Sequence, residues 1–549
     1  MRYWFKNTII YSLSVDAFQD NNADGCGDFI GLRDRLEYIA SLGVKTIWLL
    51  PIYQSPHRDN GYDVTDHFAI DSRLGNMGDF MDFLDLVGEH SLRVILDLPI
   101  NHTSNQHHWF QKSRKNPDSK YRDYYIWSKV KPEQHSDNIV FGKQQESNWK
   151  YDEEAEAYYY HTFYDFQPDL NFTNPEVRRE VRRIMHFWLR LGVSGFRVDA
   201  LSHIARNKGD IELEDPDQII REFRQYAEEV SCEAVLLGET DVKPDRYNDF
   251  FGNDDKFQML LNFYSANYIF LALARQQKAP IEHGLNMLPR ANNFQQYANF
   301  LRNHDELDLG QLSEEEKQTV FEAFAPHENM RVFGRGIRRR LVSMFDNDRR
   351  RIELAYSLLF TMPGSPIIRY GDEIGMGDDL SQKGRDSVRT IMQWSKEEGA
   401  GFSAVPEDQF IKPLITEGEY GKDKVNVEQQ YKDNDSFLNW MIKLIRMRTK
   451  CLEFGRGEYA IIPTSHSGVL CHYSKLEDEI ALAVHNLTDE AAVINIDLGE
   501  DEVKRLVDIF GDANYDLLNG SREVKINPLG YRWFQGRVKK DRYKGSTSL

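Results

Sequence analysis

The sequence has few cysteines and no long apolar run, and these two absences limit its cellular context. Its four cysteines, Cys26, Cys232, Cys451 and Cys471, are widely spaced and form no CxxC pair, which predicts reduced thiols. No stretch approaches the roughly 18 apolar residues that a membrane span needs, and the first residues show no apolar signal core. We therefore expect a cytoplasmic protein with no membrane partner.

The sequence also lacks an excess of basic residues. Asp and Glu total 87 against 68 Lys and Arg, so the formal net charge is −19. Nucleic acids and anionic membranes bind basic patches, so we expect neither as a partner, whereas a neutral sugar is compatible with this charge. With 549 residues, of which 41% are hydrophobic, the chain can bury a large core and should form more than one domain. Assembly into a homo-oligomer is left open.

Eight short apolar runs end in polar or charged residues, and the clearest of them is Gly195–Asp199. Arg197 and Asp199 would be costly inside a buried strand unless they line a polar cleft. One such run could equally be a structural Arg/Asp pair, but the others end in a similar way. They are Thr8–Val15, Val44–Leu50, Arg93–Leu98, Ala234–Glu239, Gln258–Asn262, Asn299–Asp305 and Ser365–Asp372.

Helical patterns separate most of these runs, with apolar residues recurring at spacings of three and four. The best are Phe29–Leu42, Phe80–Leu92, Pro175–Leu191, Asp217–Val230, Ile352–Phe360 and Phe437–Arg448. Eight strands alternating with helices predict an α/β fold whose parallel sheet closes as a (β/α)₈ barrel, the TIM barrel, with the active site at the carboxyl ends of its strands. Beyond residue 452, alternating runs predict an antiparallel β-sandwich. They are Gly468–Tyr473, Ile480–His485 and Ala492–Ile496.

Four short segments resemble the hallmarks of the α-amylase superfamily, glycoside hydrolase family 13. They stand in order as Asp97-Leu-Pro-Ile-Asn101-His102, Gly195-Phe-Arg-Val-Asp199-Ala, Gly238-Glu239 and Asn303-His304-Asp305. Together they are specific, although each alone is weak. The resemblance implies barrel segments at 1–102 and 172–452, a domain B inserted at 103–171, a lid excursion near 306–350 and a C-terminal domain at 453–549.

The same resemblance implies a retaining mechanism on α-glucosides. Retention needs two carboxyls about 5–5.5 Å apart, and the matching positions make Asp199 the nucleophile and Glu239 the acid/base. Asp305 matches the third family carboxylate, which holds sugar hydroxyls. We expect Arg197 to keep Asp199 ionised, whereas Glu239 has to be protonated near neutral pH through burial or nearby negative charge.

Five further residues are candidates for substrate binding on the same resemblance. Tyr62 would stack on the terminal sugar and Asp63 would bind its hydroxyls, although Asp63 could instead stabilise a turn. His102 and His304 would donate hydrogen bonds at the cleaved bond. Arg389, with Asp63, would close the cleft beyond the terminal glucose and make the enzyme exo-acting.

The loop after the first strand is a candidate cation site. Oxygen-bearing side chains alternate along it and glycines permit a tight turn, an arrangement that suits Ca²⁺ or Mg²⁺ in a structural role; a polar turn without metal is the alternative. The candidate ligands are Asp20, Asn22, Asp24, Cys26 and Asp28. No organic cofactor is expected.

A second calcium site found in many relatives is not expected here. In those relatives an Asn like Asn101 and an Asp like Asp169 bind the ion. The members most similar to this chain carry a Glu seven residues beyond the nucleophile, where this sequence has Arg206. A fixed guanidinium there would replace the charge of the cation.

Within the family, the segments 302–306, 370–377 and 384–394 resemble the trehalose synthases. The resemblance implies that maltose and trehalose are interconverted by intramolecular glucosyl transfer through a covalent glucosyl-Asp intermediate. Thr240 and Asp241 depart from it, because trehalose synthases usually flank this Glu with Ala on both sides, followed by Asn and Gln. The alternatives are an exo-acting α-glucosidase that hydrolyses short α-glucosides and an inactive carbohydrate-binding or transport-accessory protein.

Overall fold

Eight parallel strands form a closed barrel in the computed structural model, which describes residues 3–132, 139–141, 145–204, 206–209, 213, 215–499, 503–518 and 520–538. Each strand pairs with its neighbour in sequence, and the last pairs with the first. The strands are β1 Ile10–Leu13, β2 Thr46–Leu49, β3 Arg93–Leu98, β4 Gly195–Val198, β5 Val235–Gly238, β6 Met259–Leu261, β7 Gln296–Asn299 and β8 Ser365–Arg369. The predicted fold class is confirmed.

The seventh strand is the one that sequence reasoning misplaced. We predicted Asn299–Asp305, whereas the strand is Gln296–Asn299 and the residues after it form the loop that carries Asp305. Gln296 is buried, yet its Nε2 donates to the carbonyl oxygens of Lys6 (2.7 Å) and Gly455 (2.6 Å). A polar side chain satisfied in this way can begin a buried strand.

The helices on the barrel lie close to their predicted positions. The prediction for Pro175–Leu191 is confirmed to the residue: Asn174 caps its start through the N–H of Glu176, and Gly192 ends it with a left-handed φ of 115°. Phe29–Leu42 is instead two helices that meet at Arg35. The longer barrel helices are Met77–Glu89, Pro175–Leu191, Pro216–Val230, Phe263–Arg275, Ala279–Met287, Arg349–Thr361 and Phe437–Lys450.

Two long excursions lie above the carboxyl ends of the strands. The first follows β3 and contains the helix His108–Lys115 and a three-stranded sheet of Trp127–Ser128, Trp149–Asp152 and Ala157–Tyr160. The second follows β7 and contains the helix Glu314–Phe324 and a small sheet of Leu307–Asp308, Arg331–Val332 and Gly336–Ile337. We call them domain B and the lid. The exact domain boundaries stay predictions.

The C-terminal region is antiparallel, as expected. Five strands form one sheet: Glu458–Ile461, Val469–Leu476, Glu479–Asn486, Tyr531–Val538 and Val503–Gly511. Ala492–Asn495 pairs with Glu523–Ile526 in a second sheet. Leu482 and Phe534 of the first sheet share one buried cluster with Ile494 and Ile526 of the second, so the two sheets pack as a sandwich. The tail 539–549, which we expected to be frayed, lies outside the described residues. Within the described part of the chain, no helix has the length and apolarity to cross a membrane.

Candidate active site

A single buried guanidinium joins three carboxylates at the carboxyl ends of β3, β4 and β5. Nη1 of Arg197 lies 2.8 Å from Oδ1 of Asp97 and 2.6 Å from Oδ1 of Asp199, and Nη2 lies 2.6 Å from Oε1 of Glu239. Arg197 is fully buried, whereas Asp199 and Glu239 keep part of their side chains accessible from the cleft. The structure therefore brings the predicted nucleophile and acid/base onto the two nitrogens of one cation.

The pKa values of these carboxyls are raised despite the cation. Burial raises the pKa of Glu239 to about 7. The positive charge of Arg197 lowers this pKa, and the negative charge of Asp199 raises it further. Burial likewise raises the pKa of Asp199 to about 7, and Asp97 and Asp305 add to the effect. Arg197 lowers the pKa of Asp199, in the direction that we expected, but burial and the neighbouring acids outweigh it because three acids share its charge. For Glu239, the raised pKa is what a general acid needs.

The backbone after the nucleophile helps to orient Glu239. The amide of Ala200 donates to Oε2 of Glu239 over 2.8 Å. Ala200 has a φ of 49°, in the left-handed region that costs a residue other than glycine about 1–3 kcal/mol. This conformation directs its N–H at the acid/base, so the turn that follows Asp199 also positions Glu239.

Asp305 lies in a cationic environment of its own. Its Oδ1 is 2.6 Å from Nη2 of Arg389 and 3.4 Å from Nε of Arg385, and its Oδ2 is 3.4 Å from Nε2 of His304. Although burial raises the pKa of Asp305, the guanidinium groups of Arg385 and Arg389 hold it well below its usual range. Asp305 is therefore a permanent anion that can accept hydrogen bonds from sugar hydroxyls.

Tyr62 and the two predicted histidines form one connected group. The hydroxyl of Tyr62 donates to Oδ2 of Asp97 (2.9 Å) and lies 2.8 Å from Nε2 of His304, and the Tyr62 and His304 rings stack with centroids 5.7 Å apart. Nε2 of His102 lies 3.2 Å from the carbonyl oxygen of Tyr62. Burial lowers the pKa of His102 to about 4 and that of His304 well below its usual value, so both imidazoles are neutral at pH 7.

Asp63 takes the turn role rather than the sugar-binding role. It is fully buried, and its carboxylate accepts from Ser55 Oγ (2.9 Å), Arg58 N (3.1 Å) and Asp59 N (3.2 Å). These hydrogen bonds shape the preceding loop and leave the carboxylate no access to a substrate in this conformation. Asp63 is therefore corrected from a substrate ligand to a residue that shapes the loop.

Asp59, which sequence reasoning missed, faces the cleft instead. It lines a cavity of about 880 Å³ together with Arg385 and Arg389, and Gln167 Nε2 donates to its Oδ2 over 2.8 Å. Burial raises the pKa of Asp59 against the attraction of both arginines. The only signal in the sequence is its place three residues before Tyr62.

Arg385, also missed, lies between two cavities. It lines the cavity of Asp59 and a second one of about 480 Å³ that includes Glu239, Asp305 and Asp241. Its guanidinium donates to both oxygens of Glu306, over 2.6 and 3.1 Å. Glu239 and Asp305 therefore line the second cavity, and Arg385 separates it from the cavity of Asp59.

The place of the second calcium site is taken by a lysine. Nζ of Lys208 lies 2.8 Å from Oδ2 of Asp169 and 2.7 Å from Oδ1 of Asn101. Although burial raises the pKa of Asp169, Lys208 holds it below its usual value. The expectation that Arg206 supplies this charge is corrected: no ion pair joins Arg206 to Asp169 in the described structure, and Arg206 lines the smaller cavity instead.

In the loop at 20–28, most carboxylate oxygens accept hydrogen bonds from the protein. Asp20 accepts from the amides of Ala23 and Gly25, both over 2.8 Å, and Asp28 caps the following helix through the N–H of Gly31. Burial raises the pKa of the Cys26 thiol, so it suits a hard cation poorly. No group of three or more His, Cys, Asp or Glu side chains is placed to hold a metal within the described residues. Asp20, Asn22 and Asp24 keep the oxygens that could do so, and cation binding stays a prediction.

Comparison with known proteins identifies the family. The sequence matches the family model described as "Alpha amylase, catalytic domain" over residues 10–455. The chain belongs to the α-amylase family. It is 38% identical to "Trehalose synthase" of Thermus thermophilus over 97% of its own length and 55% of that protein, and 36% identical to "Trehalose synthase/amylase TreS" of Mycolicibacterium smegmatis over 97% and 93%. The crystal structure of α-amylase from H. orenii superposes with a TM-score of 0.79 at 27% identity, covering 97% of this chain and 99% of that one.

Family and site together establish an enzyme that acts on glycosides. The three family carboxylates are present, and each contacts the arginine network rather than an apolar wall. The pKa values of these carboxyls are strongly perturbed and differ from one another, which is typical of a catalytic site and is not needed in an inactive binding scaffold.

Proposed function

We propose that the enzyme interconverts maltose and trehalose through a covalent glucosyl-Asp199 intermediate. An oxygen of Asp199 attacks C1 of the non-reducing glucose while Glu239 gives its proton to the glycosidic oxygen, and the C1–O bond breaks. The released glucose then presents its anomeric hydroxyl, which gives its proton to Glu239 and displaces Asp199 from C1. No water is consumed, and the enzyme returns to its initial protonation state.

The observation that carries this proposal is a roof over the cleft made by domain B and the lid. The rings of Phe141, from domain B, and Phe333, from the lid, lie 5.0 Å apart, and Nη1 of Arg335 donates to the carbonyl oxygen of Val140 over 3.0 Å. Contact between the two excursions would exclude water from the glucosyl-enzyme. It would also hold the released glucose until the second transfer.

Arg385 lies close to both aromatic rings of this roof. Its guanidinium lies 5.3 Å from the ring centroid of Phe333 and 5.9 Å from that of Phe141, while its nitrogens hold Glu306. Leaving glucose would have to pass this residue to reach the larger cavity. The names of the two relatives above, "Trehalose synthase" and "Trehalose synthase/amylase TreS", both include trehalose synthesis and support transfer as the reaction that this closure serves.

Hydrolysis by an α-glucosidase is the competing function, and Asp241 is the residue that favours it. It lines the same cavity as Glu239 and accepts a hydrogen bond from Gln311 over 2.6 Å. Asp241 is exposed, so a polar group that can bind water lies near the acid/base. A difference of about 1.4 kcal/mol between the two barriers changes the transfer-to-hydrolysis ratio tenfold.

Intramolecular transfer is tested by adding ¹³C-labelled glucose to unlabelled maltose. We expect the trehalose to contain no label, because the glucose released in the first step stays under the roof. Trehalose labelled to the level of the free glucose would contradict the proposal.

A further inference from the structure

A cavity of about 360 Å³ lies apart from the catalytic centre, between the barrel and the start of the C-terminal domain. Its walls come from Lys6, the segment 288–297, the residues Met362–Gly364 before β8 and the segment 454–459. Of the residues described, none of the three catalytic carboxylates lines it.

The charges of this cavity are unbalanced. Lys6, Arg290 and Arg456 line it, and Glu458 is the only carboxylate among the lining residues described, which leaves a net charge of +2 (three cations less one anion). Within the described structure, no carboxylate lies within ion-pair distance of any of the three cations. In a protein with a net charge of −19, such a group of cations indicates a site for an anion.

Lys6 is buried, and Arg456, which is partly exposed, lies near enough for its charge to act on Lys6. Lys6 is 7% exposed, and its Nζ donates to the carbonyl oxygens of Asn292 (2.8 Å) and Gln295 (2.7 Å). Burial and the charge of Arg456 lower the pKa of Lys6 to about 8. Nε of Arg456 is buried and has no hydrogen-bond partner among the residues that the structure describes. A buried donor left unpaired is destabilising, and an anion bound here would satisfy it.

The rest of the wall suits a small polar molecule. The guanidinium of Arg290 lies 5.2 Å from the ring centroid of Tyr459, and the hydroxyl of Tyr459 is held by the carbonyl oxygen of Leu285 over 2.7 Å. Asn292 and Asn293 add amides to the lining. We infer that this cavity binds phosphate, free or as the phosphate group of a small phosphomonoester, between Lys6 and Arg456. At pH 7 such a group carries about −1.5 to −2 charges, which matches the net charge of the cavity.

The test measures binding of inorganic phosphate to the intact chain by calorimetry and thermal shift, with sodium chloride at matched ionic strength as the reference. We expect phosphate to raise the melting temperature more than chloride, because it binds only the folded state. Arg456→Gln should weaken phosphate binding at least tenfold. Arg290→Gln, at the rim, should weaken it less. Asp199→Asn should leave it unchanged, which separates this site from the catalytic one.

Arg190→Gln is the matched control, because it removes the same charge from an exposed position on the helix Pro175–Leu191. Equal effects of phosphate and chloride, or equal phosphate affinities of Arg456→Gln and Arg190→Gln, would overturn the inference. A comparison with glucose 6-phosphate distinguishes the two sources. If glucose 6-phosphate binds more tightly than inorganic phosphate, the ligand is a phosphomonoester. If it binds equally or more weakly, the ligand is free phosphate.

Discussion

Nη2 of Arg197 lies 2.6 Å from Oε1 of Glu239, so the residue that has to donate a proton is paired with a permanent cation. By itself this pairing would keep Glu239 ionised and useless as an acid. Burial and the neighbouring Asp199 outweigh it and raise the pKa of Glu239 to about 7. The balance between these opposing effects decides the pH range in which the enzyme works.

We predict a bell-shaped pH dependence of kcat/KM centred near neutral pH. Asp199 has to be ionised and Glu239 protonated, and each has a pKa of about 7. Activity should fall on the acid side as the pair takes up a second proton and on the alkaline side as it loses its last one, and the two apparent values belong to the pair. Initial rates with maltose between pH 5 and 9 check this. A flat profile over that range would contradict the assignment.

Asp59 and Asp63 should respond differently to the same change. Asp59→Asn should lower kcat/KM about tenfold or more, equivalent to about 1.4 kcal/mol, with little change in stability, because the carboxylate faces the cleft. Asp63→Asn should lower the free energy of unfolding by about 1–3 kcal/mol, because part of a buried hydrogen-bond set is lost. Steady-state kinetics and urea denaturation of both variants show which residue binds substrate and which stabilises the loop. The opposite pattern would restore Asp63 as the substrate ligand.

Lys208→Met should destabilise the fold by about 3–5 kcal/mol, because it leaves Asp169 as an unpaired buried charge. Lys150→Met is the control, since the ion pair between Lys150 and Asp165 is half-exposed and should contribute less than about 1 kcal/mol. Denaturation curves of the two variants check this. Equal losses of stability would show that Lys208 does not act as a built-in cation.

The loop at 20–28 is predicted to bind one divalent cation, through oxygens of Asp20, Asn22 and Asp24. Metal that binds only the folded state raises stability, so a chelator should lower the melting temperature, and Asp24→Asn should reduce that effect. Elemental analysis of the purified protein, together with melting curves with and without chelator, provides the measurement. Absence of bound metal and a melting temperature insensitive to chelator would refute the prediction.

The sequence predicted those parts of the site that follow directly from strand ends. Asp199 and Glu239 come immediately after β4 and β5, so the rule that parallel strands present their carboxyl ends together was enough to bring them to one cleft. Asp305 was also recognised, although the strand before it was misplaced. That strand was misplaced because it begins with Gln296, which is polar and gave no apolar signal. The positions of Asp199 and Glu239 follow from the strand pattern, whereas the catalytic roles of all three carboxylates came from the resemblance to the family.

The remaining site residues depend on contacts between distant segments. Lys208 rather than Arg206 reaches Asp169, and nothing in the local sequence distinguishes two cations only two residues apart. Asp59 gains its role from arginines more than 300 positions along the chain. The pairing of Arg385 with Glu306 likewise joins two loops that approach each other only in the folded barrel.

The central claim is that the roof over the cleft makes transfer faster than hydrolysis. The most direct test is to incubate the enzyme with maltose as sole substrate and to quantify trehalose and glucose over time, with Asp199→Asn as the inactive control. We predict that trehalose accumulates as the main product, with glucose as the minor one, and that the same mixture is approached from trehalose. Accumulation of glucose without trehalose would show a hydrolase and contradict the account.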